Sequence, residues 1–299
     1  WLKRHHPAAF TAALLNSQPM GFYAPAQLAA DVQRHGVEVR PVDVNHSDWD
    51  CTLEPTPSGA LAGRLGLRLV RGLPAAAAAA LVAARGRQPF GTVPELARRS
   101  GVAPPWLSRL ASADAFTSLG LSRRAALWQV LALSAPPRDR QLSLFAAVDD
   151  AEETPKLPRL PLRGHVMADY DSVGLSLKAH PLRLVRPDLR RLGVTPAAEL
   201  VNLEHRATVR VAGLVLMRQR PPTARGTVFI TLEDETGTVN LVVWKDVWAR
   251  WRRAAHRAVG LLAEGQVERT EGVLHVMPRR LEDLSTRLRG LTNKSRDFR

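Results

Sequence analysis

Cysteine is almost missing: Cys51 stands alone among 299 residues. One thiol can close no internal disulfide and assemble no cysteine-based zinc cluster, and it fits a reducing compartment. No run of about 18 apolar residues occurs, so a spanning helix is excluded. The N-terminus lacks the charged, apolar and small-residue order of a signal peptide. These absences predict a soluble cytoplasmic protein with no membrane partner. No Ser/His/Asp set, Walker motif or nucleotide-binding glycine motif is present either, so the sequence offers no catalytic centre.

Acid is scarce where base is dense. The chain holds 42 Lys and Arg against 28 Asp and Glu, a net charge of +14. Residues 60–128 carry ten arginines (64, 68, 71, 85, 87, 98, 99, 109, 123, 124) against only Glu95 and Asp114, so this segment alone is +8. Local absence of acid, rather than a uniform excess of base, predicts a polyanionic partner, and nucleic acid above all.

Apolar spacing places helices at 8–15 and 25–34, an alternating run predicts a short strand over 37–44, and 45–59 is polar and proline-rich. Short helices with tight turns follow from Leu65 to Trp128. Residues 132–163 read as a linker rich in proline and acid. From Ala207 the period switches to two, with β-like runs at 207–215, 227–232, 239–244, 259–267 and 273–277 and a helix-like segment at 245–256. Five strands with a helix between the third and fourth predict an OB-fold barrel. The expected class is α+β and multi-domain, with boundaries at 1–59, 60–131, 132–163, 164–206 and 207–299.

Val70-Arg71-Gly72-Leu73-Pro74, leading into an alanine-rich run, has the layout of a helix-hairpin-helix. Gly72 permits the tight backbone, Leu73 plugs the hairpin, and Pro74 suits a helix start. Backbone N–H groups there can hold a phosphate without reading sequence, flanked by Arg68, Arg71, Arg85 and Arg87. A second copy is expected at Gly101, before Pro104-Pro105. These features predict duplex DNA binding.

In the barrel, the ligand surface is expected around strands 2 and 3 and the loops joining strands 1–2 and 4–5. Arg218, Arg220, Arg225 and Arg269 are the candidate contacts for single-stranded DNA. Phe229, Trp244, Trp248 and Trp251 are possible stacking rings, with core packing expected for most of them. Gln141-Leu142-Ser143-Leu144-Phe145, in the acidic linker, pairs a polar anchor with terminal hydrophobes and suits docking into a partner's pocket; it matches the sliding-clamp-binding pentapeptide of bacteria. Asp43, Asp48 and Asp50 resemble a carboxylate cluster, but lie where Asp serves turns, so no metal site is expected.

Several runs carry a family resemblance: Leu14-Leu15-Asn16-Ser17-Gln18-Pro19-Met20-Gly21-Phe22-Tyr23, Ser47-Asp48-Trp49-Asp50-Cys51, Leu175-Ser176-Leu177-Lys178-Ala179-His180-Pro181, Thr231-Leu232-Glu233-Asp234-Glu235-Thr236-Gly237 and Ser295-Arg296-Asp297-Phe298-Arg299. The chain resembles the error-prone branch of the bacterial C-family DNA polymerases (the DNA polymerase III alpha-subunit type) along its whole length. With Trp1 inside a helix-like run and no initiator Met, it is expected to be the C-terminal part of a longer protein: the end of the fingers, tandem hairpins and an OB-fold. The resemblance implies template-directed synthesis and translesion synthesis in the DNA-damage response. It also implies mutasome accessory proteins as partners and Mg²⁺ held by palm carboxylates upstream of Trp1, whereas a sliding clamp as partner rests mainly on the five residues 141–145 themselves. No cofactor and no catalytic residue is expected within these 299 residues. Two other functions fit parts of the sequence: a non-catalytic repair accessory protein built from the same modules, and a nuclease or transferase using Asp43, Asp48 and Asp50.

Overall fold

Local chemistry sets most helix ends in the first half of the chain. Alanine, the strongest helix former, fills most of α4 (Ala75–Arg85), which stops at Gly86 with φ 49°. In α5 (Val93–Ser100) the Thr92 hydroxyl accepts from the Glu95 N–H, while the Glu95 carboxylate accepts from Gly91, and the helix ends on left-handed Gly101; these are the capping interactions that satisfy orphan end groups. The computed structural model describes residues 1–21, 23–133, 155, 157–270, 272–288 and 296–298. The chain divides into two compact units, Trp1–Leu177 and Lys178–Arg299.

The first unit opens with α1 (Leu2–His5), α2 (Pro7–Asn16) and α3 (Pro25–Arg34). The strand expected over 37–44 shortens to β1 (Val39–Arg40), and the polar run after it, which reads as loop, holds β2 (Thr52–Pro55). With β3 (Leu61–Arg64) they form a sheet in the order β1-β3-β2 that crosses the expected boundary at residue 59. The polarity of this stretch is internal pairing. The Glu54 carboxylate takes Arg64 Nε at 2.7 Å and Arg40 Nη1 at 2.5 Å. These bonds, from Arg64 first, hold the Glu54 carboxyl down at about 2.

After α4 and α5 come α6 (Pro104–Ser112), α7 (Arg123–Leu133) and α8 (Leu162–Ser172). The core of this unit fully buries Leu67, Leu81, Leu96, Leu107, Leu110 and Phe116. Gln141–Phe145 lies outside the described residues.

The 164–206 stretch, expected as one connector, divides between the two units. In the second, α9 (Pro181–Arg191) packs Leu182, Val185 and Leu189 against Ala212, Leu214 and Leu262 on the outside of the barrel. Apolar side chains at helical spacing give α9 one face to bury, which is why it belongs with the barrel. Arg186 adds bonds to Asp234 and Glu235.

The barrel comprises β4 (Thr208–Gln219), β5 (Val228–Glu233), β6 (Thr238–Val243), β7 (Gly260–Thr270) and β8 (Val273–Asp283), with β9 (Arg296–Phe298) beside β4. Between β6 and β7 run α10 (Lys245–Arg250) and α11 (Arg252–Arg257). β4 closes the sheet because it is long: its first half, to Leu214, pairs with β7, and its second half, from Leu214 and through an irregularity between Val215 and Met217, pairs with β5. Bulges bend strands at such crossings. At Gly213 a side-chain β-carbon would lie 2.7 Å from Leu232 Cβ, so only glycine permits the approach.

Candidate nucleic-acid interface

Three turns in the first unit repeat one geometry. Gly72, Gly101 and Gly120 have φ of 74°, 63° and 72°. Each precedes an apolar plug, Leu73, Val102 or Leu121, and a helix starts three residues after each glycine. The third turn is not among the two expected hairpins, although Gly120-Leu121-Ser122 has the same spacing and could have shown it.

The turns differ in what their helices offer. At the second, Pro104 and Pro105 carry no N–H, the Trp106 and Leu107 N–H groups bond Ala103, and Val102 bonds the Ser100 hydroxyl. At the third, Ser122 caps α7 through Ala125 and Ala126. The second turn, with Gly101, therefore has the hairpin backbone without the donors that a phosphate needs. At the first turn, α4 starts after Pro74 with no side-chain cap, and Ala75 and Ala76 are exposed. The Arg109 guanidinium lies beside this turn, with Nε 3.8 Å from the place a β-carbon on Gly72 would take. Helix-start N–H groups beside a cation suit a phosphate oxygen.

Most arginines expected at this interface hold the fold instead. Arg85 binds Asp48 at 2.6 Å and the Ser47 carbonyl at 2.9 Å. Arg68 binds Asp50 at 2.7 Å and the Gln18 carbonyl. Arg71 ties the turn to the end of α8 through its N–H to Ser172 and Nη1 to Asp171. Arg87 is exposed and makes no ion pair or hydrogen bond among the described residues; the same holds for Arg98, three residues before Gly101, and for Arg109. The same bonds remove the carboxylate cluster as a metal site: Asp48 and Asp50 serve arginines, while Asp43 accepts from the Asn45 and Ser118 N–H groups. These residues do not fit Mg²⁺.

In the second unit, Arg218 is the clearest correction. It lies in β4 rather than in the following loop, and its buried guanidinium donates to the Ala255 and Ala258 carbonyls at 2.6 Å each. Alternation along a strand sends side chains alternately to the two faces, and this one points to the end of α11. Arg269 is in β7, donating to the Leu203 carbonyl at 2.9 Å and to Val201. Thr270 and Val273, which bracket the expected loop, face each other in the ladder.

Arg220 and Arg225 remain exposed, at the turn between β4 and β5. Gly226 lies beneath both Lys245 and the Arg220 guanidinium, which would stand 3.6 and 3.8 Å from a β-carbon at that position. Beside them the outward side of β5 and β6 carries Phe229 opposite Val242 and Thr231 opposite Asn240. Trp244, next along the same side, is 54% exposed. Trp248 and Trp251 pack against the barrel core, as expected for most of the rings. A free indole beside three cations can stack a base while the cations hold its phosphates.

Both units thus define a class first, a nucleic-acid-binding protein of hairpin and OB modules. Family models agree: one described as a helix-hairpin-helix motif matches residues 36–126, and one described as an OB-fold nucleic acid binding domain matches residues 209–284. Error-prone DNA polymerase from Alkalilimnicola ehrlichii is 52% identical over 299 residues, covering all of this chain and 29% of that protein. The one from Methylococcus capsulatus is 48% identical over 316 residues, covering all of this chain and 30% of the relative. The chain belongs to the error-prone DNA polymerase family and spans under a third of the length of these relatives. Among solved structures, asparaginyl-tRNA synthetase from Pyrococcus horikoshii is 26% identical over 30% of this chain and 22% of that one, with a TM-score of 0.27.

Proposed function

We propose that this chain is the C-terminal DNA-holding part of an error-prone DNA polymerase, acting in a reducing cytoplasm during translesion synthesis. The observation that carries the reading is the pairing, in one chain, of an uncapped hairpin turn beside Arg109 with a barrel face bearing exposed Trp244. The hairpin turn holds duplex phosphates without reading bases, and the barrel holds single-stranded template. Nucleotidyl transfer with Mg²⁺ belongs to carboxylates outside this chain. The 299-residue chain should bind a primer–template junction without extending it when given Mg²⁺ and all four nucleotides. Robust incorporation, or failure to bind the junction, overturns the assignment.

Gln141–Phe145 is proposed to dock on the sliding clamp, with mutasome accessory proteins as further partners. Burying Leu144 and Phe145 is worth about 1.5–3 kcal/mol each. Replacing both with alanine should lower clamp affinity about a hundredfold or more, about 2.7 kcal/mol, on immobilised clamp. Equal binding by both proteins rejects the motif.

A further inference from the structure

The helices between β6 and β7 carry a group of cations that neither the fold nor the expected barrel loops account for. Arg252, Arg253, His256 and Arg257 line a cavity of about 480 Å³ in the second unit. All four are exposed, and among the described residues none of the three arginines has a carboxylate or carbonyl partner. Other arginines of this unit are tied down, Arg186 to Asp234 and Glu235, Arg210 to Glu264 and Arg218 to backbone carbonyls, while Arg220 and Arg225 belong to the proposed single-strand face. Arg253 and Arg257 are four apart on one helix, a spacing at which like charges destabilise it. This arrangement opposes the fold and is relieved by a bound polyanion.

The group is continuous with the proposed single-strand face. Trp244 is the residue before α10, Lys245 is its first residue, and the two six-residue helices lead from there to Arg257. Each helix advances about 9 Å, so a strand leaving Trp244 can follow the ridge. Stacking is closed to it here. The Trp251 ring packs against the core, with the Arg250 and Arg280 guanidiniums 5.7 and 5.8 Å from its centre.

We propose that α10 and α11 form a second seat for single-stranded DNA, holding the phosphodiester backbone by charge alone after the strand leaves Trp244. This rests on the single-strand reading of the barrel. The ridge is blind to base identity, reached only by longer strands, and weakened by salt.

The test is fluorescence anisotropy of the 299-residue chain with oligothymidines of about 6 and about 20 nucleotides, sizes spanning the usual site of one OB-fold. Salt is varied between about 50 and 200 mM, where counterion release dominates. Replacing Arg252, Arg253 and Arg257 together with Gln should weaken the long strand about tenfold and reduce its salt slope by about two, leaving the short strand unchanged. Arg257→Gln alone should reduce the slope by about 0.7, which keeps the test decisive if the triple variant folds poorly. Trp244→Ala should weaken both lengths and leave the slope in place. An unchanged slope in the Arg257 variant and a folded triple variant, or equal losses on both lengths, overturns the ridge while the single-strand face stands. If the wild-type chain binds neither oligonucleotide, the single-strand reading falls and the ridge with it.

Discussion

Between residues 60 and 128, seven of the ten arginines (64, 68, 71, 85, 99, 123 and 124) bind carboxylates or carbonyls of their own chain. On α10 and α11, by contrast, Arg252, Arg253 and Arg257 face solvent without such partners among the described residues. Both regions read as basic in sequence. In the first, short helices and tight turns leave many carbonyls without helical partners, and a five-donor guanidinium satisfies several at once. In the second, the ladders of the barrel satisfy the backbone and leave its connecting helices free to present charge. Local charge counts therefore overstate free charge most where structure is irregular.

The comparison is broken most directly at two of the expected DNA contacts that the structure internalises. Arg218→Met should destabilise the second unit by about 3 kcal/mol, and Arg85→Met the first by about 2 kcal/mol, because each leaves buried acceptors unpaired. Denaturant melts read both losses; DNA affinity of the folded protein should stay constant. Normal stability with weakened binding would restore these residues to the interface.

Trp244→Ala should cost single-strand binding about 1–3 kcal/mol with little change in melting, since its ring stands in solvent. Calorimetric titration with oligothymidine measures it. A stability loss without a binding loss would make Trp244 a packing residue.

A smaller effect is expected at Arg109→Gln. Stability should change by no more than about 0.5 kcal/mol, while the duplex salt slope falls by about 0.9. The Arg85 variant should leave that slope alone, so anisotropy of the two variants side by side separates a phosphate contact from a fold contact.

Acid should distinguish the units as well. Burial, opposed by Glu235 and Asp234, pushes the His180 imidazole from 6.5 down to about 4. The unfolded chain takes that proton first, so His180 makes the second unit lose stability as pH falls from 6.5 towards 4. Glu54 in the first unit contributes fully above 4.5 and loses its contribution only as pH falls towards 2. His180→Asn should flatten the pH dependence of the second unit in its window, and Glu54→Gln that of the first in the lower one. Identical pH profiles for wild type and variants in circular dichroism melts would refute the assignment.

Much of the architecture is legible in the order of the amino acids. Gly72-Leu73-Pro74 specifies its turn because few residues adopt positive φ and proline suits a helix start. Five period-two runs specify a barrel because one face of each strand must be buried. β2 is not legible, because Glu54 and its neighbouring prolines look like loop until Arg40 and Arg64 are seen beside them.

The sequence by itself determined the turn glycines, the strand periods, the overall positive charge and the family, since these depend on neighbours along the chain or on similarity over all of it. Only the tertiary structure decided which cations are free. A guanidinium's partner is set by whichever carbonyl or carboxylate folding brings within about 3 Å, and for Arg85, Arg218 and Arg269 those partners lie 37 to 68 residues away.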